Sequence, residues 1–377
     1  MNTDLKYRYW LATLDCIGPK RAKQLMGVYG NAYEVFRQPA AELAKLDFIN
    51  QRIIEQLLNR AARSDLDDKL YALTAQGIDV ISEDDPRYPP LIREIADPPP
   101  VLFMRGAAPS CSNDKFIAVV GTRKPSAYGI SATKRIVADL AGYGFTVVSG
   151  MAAGIDAAAH RTAIESGVKT IAILGSGVDR AYPASNKKLM EDIIRSGAVY
   201  SEYPPGITPY QQNFPRRNRL ISGMSIGIIV VEAGERSGAL ITAGYAGEQG
   251  RDVFAVPGNI SSPMSKGSNA LLRDGAFIAI SAEDIVNNLN KYICLPEQQT
   301  IDFSASARTE YDRKLESLSE TELSVVRLLT GRGPQDMDSI AGFCKISAGN
   351  AGSAVVLLEI KGIIRHTPDG AYEITQR

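Results

Sequence analysis

The chain has 377 residues, 45% of them hydrophobic, a length that predicts two or three domains rather than one core. Lysine plus arginine and aspartate plus glutamate number 42 each, so a global basic field is excluded and any anion site depends on local clustering. No apolar stretch approaches the roughly 20 residues of a membrane helix, and two histidines with four scattered cysteines disfavour a zinc site. The first residues also lack the apolar core of a signal peptide, so we expect a cytoplasmic protein with no membrane partner, metal or other cofactor.

Residues 1–75 are predicted to form a helical domain. Gly18 and Pro19 make a turn, and proline is favoured in the first position of the helix that follows. Residues 47–58 repeat a similar apolar spacing without the glycine. The segment is similar to a helix-hairpin-helix or SAM-like domain, in which backbone amides at a helix start can hold a DNA phosphate. The alternative is a small helical packing domain, which the missing second glycine favours.

Residues 76–112 form a proline-rich connector that joins a sheet domain at 113–290. Prolines at 89–90 and 98–100 restrict any strand there to a sheet edge. The sheet domain contains short apolar runs that alternate with helical stretches, which is typical of a parallel sheet buried on both faces. These runs are 116–120, 146–148, 170–174, 198–200, 226–231 and 252–256. The predicted fold is therefore α/β, with an extended Rossmann-like parallel sheet.

The C-terminal part is predicted as a polar linker at 291–317 followed by a small domain at 318–377. Helices are expected at 320–329, 336–343 and 347–360, and Asp369 with Gly370 suits a hairpin turn between short strands. Three helices and a two-stranded hairpin indicate a winged helix.

Each apolar run ends in a corner rich in glycine, serine or arginine, and ligands of parallel sheets bind outside the carboxyl ends of the strands. In the first corner a glycine permits a tight turn, two cations add charge, and the next helix offers free amides, so we predict an anion site. Its residues are Gly121, Thr122, Arg123, Lys124 and Ser126. The corner has neither a Gly-x-Gly-x-x-Gly fingerprint nor a Gly-Lys-Ser/Thr loop, which argues against dehydrogenases and ATPases.

In the second corner, small residues including Gly154 allow another chain to pass close to the backbone. Asp156 and His160 lie one helical turn apart and could form an acid/base pair, or make structural hydrogen bonds only. No nucleophile accompanies them, so the structural role is favoured.

The third corner presents Tyr182 close to Lys187 and Lys188, and an exposed tyrosine beside lysines can stack a base while the lysines hold phosphates. A solvated helix start with a packed tyrosine is the alternative.

The segment 213–223 is the most basic in the sheet domain, and its position favours a phosphate role over a merely solvated face. Its candidate residues are Phe214, Arg216, Arg217 and Arg219. Ser237 belongs to a corner that suits a helix start, where Glu232 and Glu235 are expected to orient neighbouring arginines.

Taken together, Arg123, Lys187, Arg217 and Arg219 are expected to converge on one face, with aromatic side chains between them. A local basic groove of this kind suits single-stranded nucleic acid better than duplex, because stacking needs unpaired bases.

The corner motifs resemble those of the DprA family of DNA-processing proteins, also called Smf. The motifs are long, ordered and spread over the sheet domain. They are Gly-Thr-Arg at 121–123, Ser-Gly-x-Ala-x-Gly-Ile-Asp-x-x-Ala-His at 149–160, Gly-x-Gly-x-Asp-x-x-Tyr-Pro at 175–183, Asn-Phe-Pro-x-Arg-Asn-Arg-x-Ile-Ser-Gly at 213–223, Glu-Ala-x-x-x-Ser-Gly-x-Leu-x-Thr-Ala at 232–243, and Pro-Gly at 257–258 with Gly-x-Asn-x-Leu-Leu-x-x-Gly-Ala at 267–276.

The resemblance implies a non-enzymatic recombination mediator. Such proteins bind and protect incoming single-stranded DNA, form a homodimer and help to load the RecA recombinase during natural transformation. The family's DNA-contacting cations correspond to Arg123, Lys187 (with Lys188 beside it), Arg217 and Arg219.

One feature departs from a DNA-reading winged helix. Residues 347–360 contain no lysine or arginine, and the chain from Leu318 onward has six basic and seven acidic residues. A helix that reads duplex DNA needs a basic face, so we expect this domain to serve packing or protein contact.

Two alternatives remain. Rossmann-like proteins with similar glycine-rich corners hydrolyse nucleotide-derived small molecules, and the fold alone cannot separate them from a binding protein. The chain lacks the Pro-Gly-Gly-x-Gly-Thr corner of those hydrolases. A transcription factor that uses the winged helix is disfavoured by the acidic balance of that domain.

Overall fold

The computed structural model describes residues 4–107, 115–289, 318–367 and 370–375. The chain divides into two compact units, Met1–Ile293 and Cys294–Arg377. The predicted linker at 291–317 lies outside the described residues.

The N-terminal part of the first unit is helical, and asparagine caps begin several of its helices because their side chains accept an amide N–H. Its core surrounds the fully buried Trp10. The helix-hairpin-helix assignment stays a prediction. The helices are α1 (Leu5–Thr13), α2 (Pro19–Tyr29), α3 (Ala32–Arg37), α4 (Ala40–Leu43), α5 (Gln51–Leu57), α6 (Arg60–Arg63) and α7 (Leu66–Ala75).

The centre of the first unit is one sheet in the strand order β1-β2-β6-β5-β4-β3-β7-β8-β9. The strands are β1 (Asp79–Ile81), β2 (Leu102–Gly106), β3 (Lys115–Val120), β4 (Phe145–Ser149), β5 (Thr170–Leu174), β6 (Ala198–Ser201), β7 (Gly227–Val230), β8 (Asp252–Ala255) and β9 (Phe277–Ile278). Strands β3 to β9 pair in parallel, whereas β1 and β2 form an antiparallel edge. All six predicted runs are strands, and the predicted α/β fold with a mostly parallel sheet is confirmed.

Helices cover both faces of the sheet. Along β5, Ile171 and Ile173 pack into one core while Ala172 and Leu174 pack into the other, as expected for a strand buried on two sides. The helices are α8 (Pro90–Arg93), α9 (Ala127–Asp139), α10 (Ile155–Glu165), α11 (Lys187–Ser196), α12 (Asn213–Met224), α13 (Gly238–Glu248), α14 (Lys266–Arg273) and α15 (Ala282–Leu289).

The strand order reverses at β3. This strand pairs with β4 on one side and with β7 on the other. Strands β4, β5 and β6 follow one another on the first side of β3, and β7, β8 and β9 follow one another on the second side. A crevice opens at such a reversal, outside the carboxyl ends of the strands. The corners after β3, β4 and β7 therefore meet at one place.

The second unit contains helices α16 (Glu320–Arg332), α17 (Met337–Cys344) and α18 (Ala348–Ile360), then the hairpin of β10 (Ile364–His366) and β11 (Tyr372–Ile374). The elements follow the predicted order, and the winged-helix assignment stays a prediction. Asp369 of the predicted hairpin turn lies outside the described residues.

Among the described residues, no single helix has both the length and the apolar composition to cross a membrane, although α17 and α18, bent by 111° to each other, meet those criteria as a pair.

Candidate functional site

A cleft of about 540 Å³ lies at the reversal of the strand order. The end of β3, the corners after β4, β5 and β7, and the starts of α12 and α13 form its walls. Its charged lining residues are Arg123, Arg217, Arg236 and Asp156. Three cations against one carboxylate give the cleft a local positive charge in a chain whose formal net charge is zero.

The corner after β3 is held in place by its neighbours on both sides. The Thr122 amide donates to the Glu232 carbonyl at 2.8 Å, and the Ile155 amide donates to the Thr122 carbonyl at 3.2 Å. Gly154 has φ +85°, and a Cβ there would overlap the Thr122 carbonyl oxygen. Gly154, a predicted site residue, thus acts by letting two corners pack against each other.

Arg123 projects from this fixed corner with an exposed side chain. Its guanidinium carbon lies 5.4 Å from the centre of the Phe214 ring, within the range of a cation–π contact. Arg123 has no ion-pair partner among the described residues. Its charge is therefore available to an anion entering the cleft.

Two aromatic rings form a stacked pair at the cleft. Tyr182 and Phe214 have ring centroids 5.1 Å apart and planes 25° from parallel. Phe214 lies against Gly175, where a Cβ would come within 3.0 Å of the ring. Tyr182 is 40% exposed, so its ring is accessible to a planar ligand.

Arg217 lies beneath this surface and is only 4% exposed. One of its terminal nitrogens, Nη1, donates to the carbonyls of Gly150, at 2.7 Å, and Ile173. Burial lowers the pKa of Arg217 to about 10, and the nearby Asp156 opposes that shift. Arg217 joins the ends of β4 and β5 and supplies positive charge from below the cleft rather than an exposed contact.

Asp156 and His160 make separate contacts instead of an acid/base pair. Asp156 accepts the amides of Gly150 and Ala152, at 3.2 and 3.3 Å. The Nδ1 of His160 lies 2.7 Å from the hydroxyl oxygen of Thr170, which itself donates to a carbonyl, so Nδ1 carries the proton. Burial lowers the pKa of His160 to about 3. These contacts agree with the structural role favoured from the sequence.

The predicted anion site at the start of α9 is occupied by the protein itself. Ser126 donates its amide and its hydroxyl to the buried Glu232 carboxylate, at 2.9 and 2.6 Å. A Cβ at Gly129 would overlap the same carboxylate. A carboxylate at a helix start is stabilised by the helix dipole, so Glu232 fills the place predicted for a ligand.

The prediction that Glu232 and Glu235 orient neighbouring arginines is also wrong. Glu232 binds Ser126, and Glu235 pairs with Lys266 at 3.0 Å. Arg236, which follows Glu235 in the sequence, is exposed, lines the cleft and has no ion-pair partner among the described residues. Sequence reasoning missed Arg236, although its position in a strand-end corner was a signal for it.

Arg219 does not line the cleft, so the predicted convergence of four cations is wrong at this position. Its side chain is 7% exposed and pairs with Glu202, while its Nε lies 3.3 Å from Asp97. Burial raises the pKa of Glu202, and Arg219 opposes that shift. These ion pairs connect α12 to the segment before β2, which contains Asp97, and to the segment after β6, which contains Glu202.

The other predicted residues differ in whether they line the cleft. Lys124, Lys187, Lys188 and Arg216 are exposed but do not belong to its lining, and the two lysines at 187 and 188 begin α11. Ser237 lines the cleft and caps α13, accepting the Ala239 amide at 3.3 Å. The start of α13 therefore lies at the same cleft as Arg123 and Arg236, and its dipole adds positive potential there.

Within the described ranges, no group of three or more histidine, cysteine, aspartate or glutamate residues is arranged to hold a metal ion.

Comparison with known proteins gives a consistent result. A family model described as DNA recombination-mediator protein A matches residues 79–290. The chain is 32% identical over 393 residues to Protein Smf of a Synechocystis species, across 97% of this chain and 98% of that protein. It is 41% identical over 220 residues to DNA processing protein DprA of Bacillus subtilis, across 58% of this chain and 74% of that protein.

Two solved structures are also similar. DNA processing protein A of Streptococcus pneumoniae superposes with a TM-score of 0.65 and 33% identity, covering 75% of this chain and 97% of that one. DNA processing protein A of Helicobacter pylori, described for its single-stranded DNA binding mode, gives a TM-score of 0.52 and 28% identity over 57% of this chain and 96% of that one.

Proposed function

The chain belongs to the DNA recombination-mediator protein A family, and from that premise we propose that it binds single-stranded DNA in the cleft at the carboxyl ends of its strands. The observation that carries the proposal is the pairing of unneutralised cations with an accessible aromatic stack in that cleft. Arg123 and Arg236 have no ion-pair partner in the described chain, and Tyr182 stacks on Phe214 beside them.

Phosphates would bind to the guanidinium groups, close to the positive end of the α13 dipole. Guanidinium groups match the geometry of phosphate oxygens, and a helix start favours negative charge. The buried charge of Arg217 adds to the positive potential from below. Each of these contacts is to the backbone of the strand, so we expect affinity without strong sequence preference.

Bases would stack on the exposed ring of Tyr182 at the edge of the aromatic pair. Only unpaired bases present their faces, whereas the bases of a duplex are already stacked on one another. The ligand of this site is therefore single-stranded DNA in preference to duplex.

We also propose that the protein acts by binding and not by catalysis. Of the residues that line the cleft, Asp156 is the carboxylate, and it is held by two backbone amides. His160 is fully buried and bonded to Thr170. The alternative, a hydrolase acting on a nucleotide-derived small molecule, would have to work without either group in an acid/base role.

Membership of the family also supports a proposal about the proteins with which this chain interacts. We propose that the protein forms a homodimer and helps to load RecA recombinase onto incoming DNA during natural transformation, in the cytoplasm. The second unit would contact protein, because the exposed face of α18 carries Val356, Leu357 and Ile360 and no cation.

Fluorescence anisotropy with labelled single-stranded and duplex oligonucleotides tests the cleft. We expect single strands to bind more tightly, and Arg123→Ala to weaken binding roughly ten- to hundredfold for any base sequence. The log–log salt slope should fall in magnitude by about 0.7, the value for one phosphate contact on a single strand. Arg135→Ala removes an exposed arginine on α9 outside the cleft and should change neither quantity.

Equal affinity for duplex, or equal effects of the two arginine variants, would contradict the proposal. Release of free base from nucleoside monophosphates at enzymatic rates would favour the hydrolase instead.

A further inference from the structure

A second cluster of cations lies on the N-terminal helices and shares no residue with the cleft. It is a shallow concavity of about 400 Å³, here called the arginine patch. Its lining residues are Phe36, Arg37, Leu58, Arg60 and Arg63. Three guanidinium groups therefore meet over a partly apolar floor, and no carboxylate belongs to the lining.

Arg63 is the most constrained member of the arginine patch. Its guanidinium carbon lies 4.0 Å from the centre of the Phe36 ring and 5.7 Å from that of Trp10. Its Nε is buried and has no hydrogen-bond acceptor among the described residues. Burial lowers the pKa of Arg63, and no carboxylate of the described residues forms an ion pair with it. A partly buried cation without a counter-ion is costly, and a bound anion would offset that cost.

The other two arginines are weakly neutralised. Arg37 has Glu34 at 3.8 Å, with both side chains largely exposed, and such a pair contributes little. Arg60 is exposed and has no partner in the described chain. An adjacent concavity shares Phe36 and Arg63 with the arginine patch and is also lined by three aspartates, Asp65, Asp67 and Asp68. Asp67 is paired with Lys6 at 2.6 Å, and none of the three forms an ion pair with Arg63 in the described chain.

Aromatic rings continue from the arginine patch across the helices. Tyr7 lies between Phe36 and Tyr33, with ring centroids 4.9 Å apart in both pairs. Tyr33 is 39% exposed, and the Arg37 guanidinium lies 5.5 Å from its ring centre. Cations interleaved with accessible aromatic faces are typical of surfaces that follow a single strand of nucleic acid.

We propose that the arginine patch is a second binding site for the phosphodiester backbone of single-stranded nucleic acid. The inference rests on the proposed function, because it assigns to the N-terminal helices a share of the same strand. Arg37 and Arg60 supply exposed guanidinium donors to phosphate oxygens, and Arg63 supplies charge from the floor. A strand that reaches both sites gains phosphate contacts, whereas a short strand that fills the cleft does not.

The matched test uses the full chain and two lengths of oligothymidylate. The double variant Arg37→Ala, Arg60→Ala should bind the long strand at least about tenfold more weakly and with a salt slope smaller by about 1.4, which is two single-strand phosphate contacts. Its affinity for the short strand should stay unchanged. Arg52→Ala, an exposed arginine on α5 outside the arginine patch, is the control and should change neither.

Trp10 gives an independent readout, because it is the chain's single tryptophan and its ring lies 5.7 Å from the Arg63 guanidinium. The long strand should change Trp10 emission in the wild type and, at saturation, in Arg123→Ala, but not in the double variant. The inference would be overturned if the double variant bound the long strand with wild-type affinity and if the strand did not change Trp10 emission in the wild type. A response to inorganic pyrophosphate but not to the strand would also overturn it, in favour of a small-anion site. If instead Arg123→Ala alone has no effect, the proposed function fails while the Trp10 result still decides the arginine patch.

Discussion

Arg219→Met is predicted to destabilise the first unit and to leave the cleft at the carboxyl ends of the strands intact. Although Arg219 belongs to the basic segment of α12, its guanidinium is buried and bound to Glu202 and Asp97. Nη1 also donates to the Asp97 carbonyl at 2.9 Å. Methionine keeps much of the side-chain volume but removes all of these donors, so the Glu202 carboxylate is left buried without its partner.

Breaking a buried ion pair by removing one partner costs about 3–5 kcal/mol. For a unit of nearly 300 residues this corresponds to a melting temperature lower by roughly 5–8 °C. The loss depends on pH, because without Arg219 the pKa of Glu202 rises further above its ordinary value. A carboxyl with a raised pKa in the folded state destabilises more as pH rises, so the deficit should be smaller near about pH 4 than near about pH 7.

Thermal and urea unfolding at the two pH values, together with anisotropy on single-stranded DNA, measure both effects. Arg216→Met is the matched control, because Arg216 is an exposed arginine on the same helix and its loss should change stability by less than about 0.5 kcal/mol. Adding Glu202→Gln to Arg219→Met should recover part of the loss. A normal melting temperature combined with weaker DNA binding would refute the assignment of Arg219 to the buried ion pair.

Three further outcomes are expected. Phe214→Ala should weaken single-strand binding by about 1–3 kcal/mol in anisotropy, while Phe214→Trp retains binding; equal affinity of both variants would count against base stacking. Gly129→Ala should cost about 1–3 kcal/mol in urea unfolding, because the new methyl group overlaps the Glu232 carboxylate held by Ser126; an unchanged midpoint would contradict that packing. The His160 ring should stay neutral by NMR between about pH 7 and pH 5, because burial lowers its pKa to about 3. The unfolded chain binds a proton at this histidine as pH falls below the ordinary pKa of about 6.5, so the stability of the folded state should decline there. Titration of the His160 ring at about pH 6.5 would refute its burial.

Burial on two faces explains why the strands could be predicted. A strand such as β5 is apolar at every position because both faces pack into a core, so its run stands out in the sequence. Strand β9 was not predicted, since it has two residues and both are exposed. Strand β9 is defined by its pairing with β8, and a pairing between distant segments leaves no local pattern in the sequence.

The corners were predictable as a group, but the partners of individual charges were not. Arg217 and Arg219 are two positions apart on α12, a spacing that points them to different sides of the helix. Arg219 meets Glu202 and Asp97, which are distant in the sequence. The opposite error concerns Arg236, which was not predicted as a site residue. The neighbouring Glu235 pairs with Lys266, and Arg236 has no ion-pair partner among the described residues.

The most direct measurement is the structure of the protein bound to a single-stranded oligonucleotide. We predict a phosphate within hydrogen-bonding distance of the Arg123 guanidinium and a base stacked at the Tyr182–Phe214 pair. A strand bound elsewhere on the first unit, with the cleft empty and Arg123 in contact with no phosphate, would contradict it.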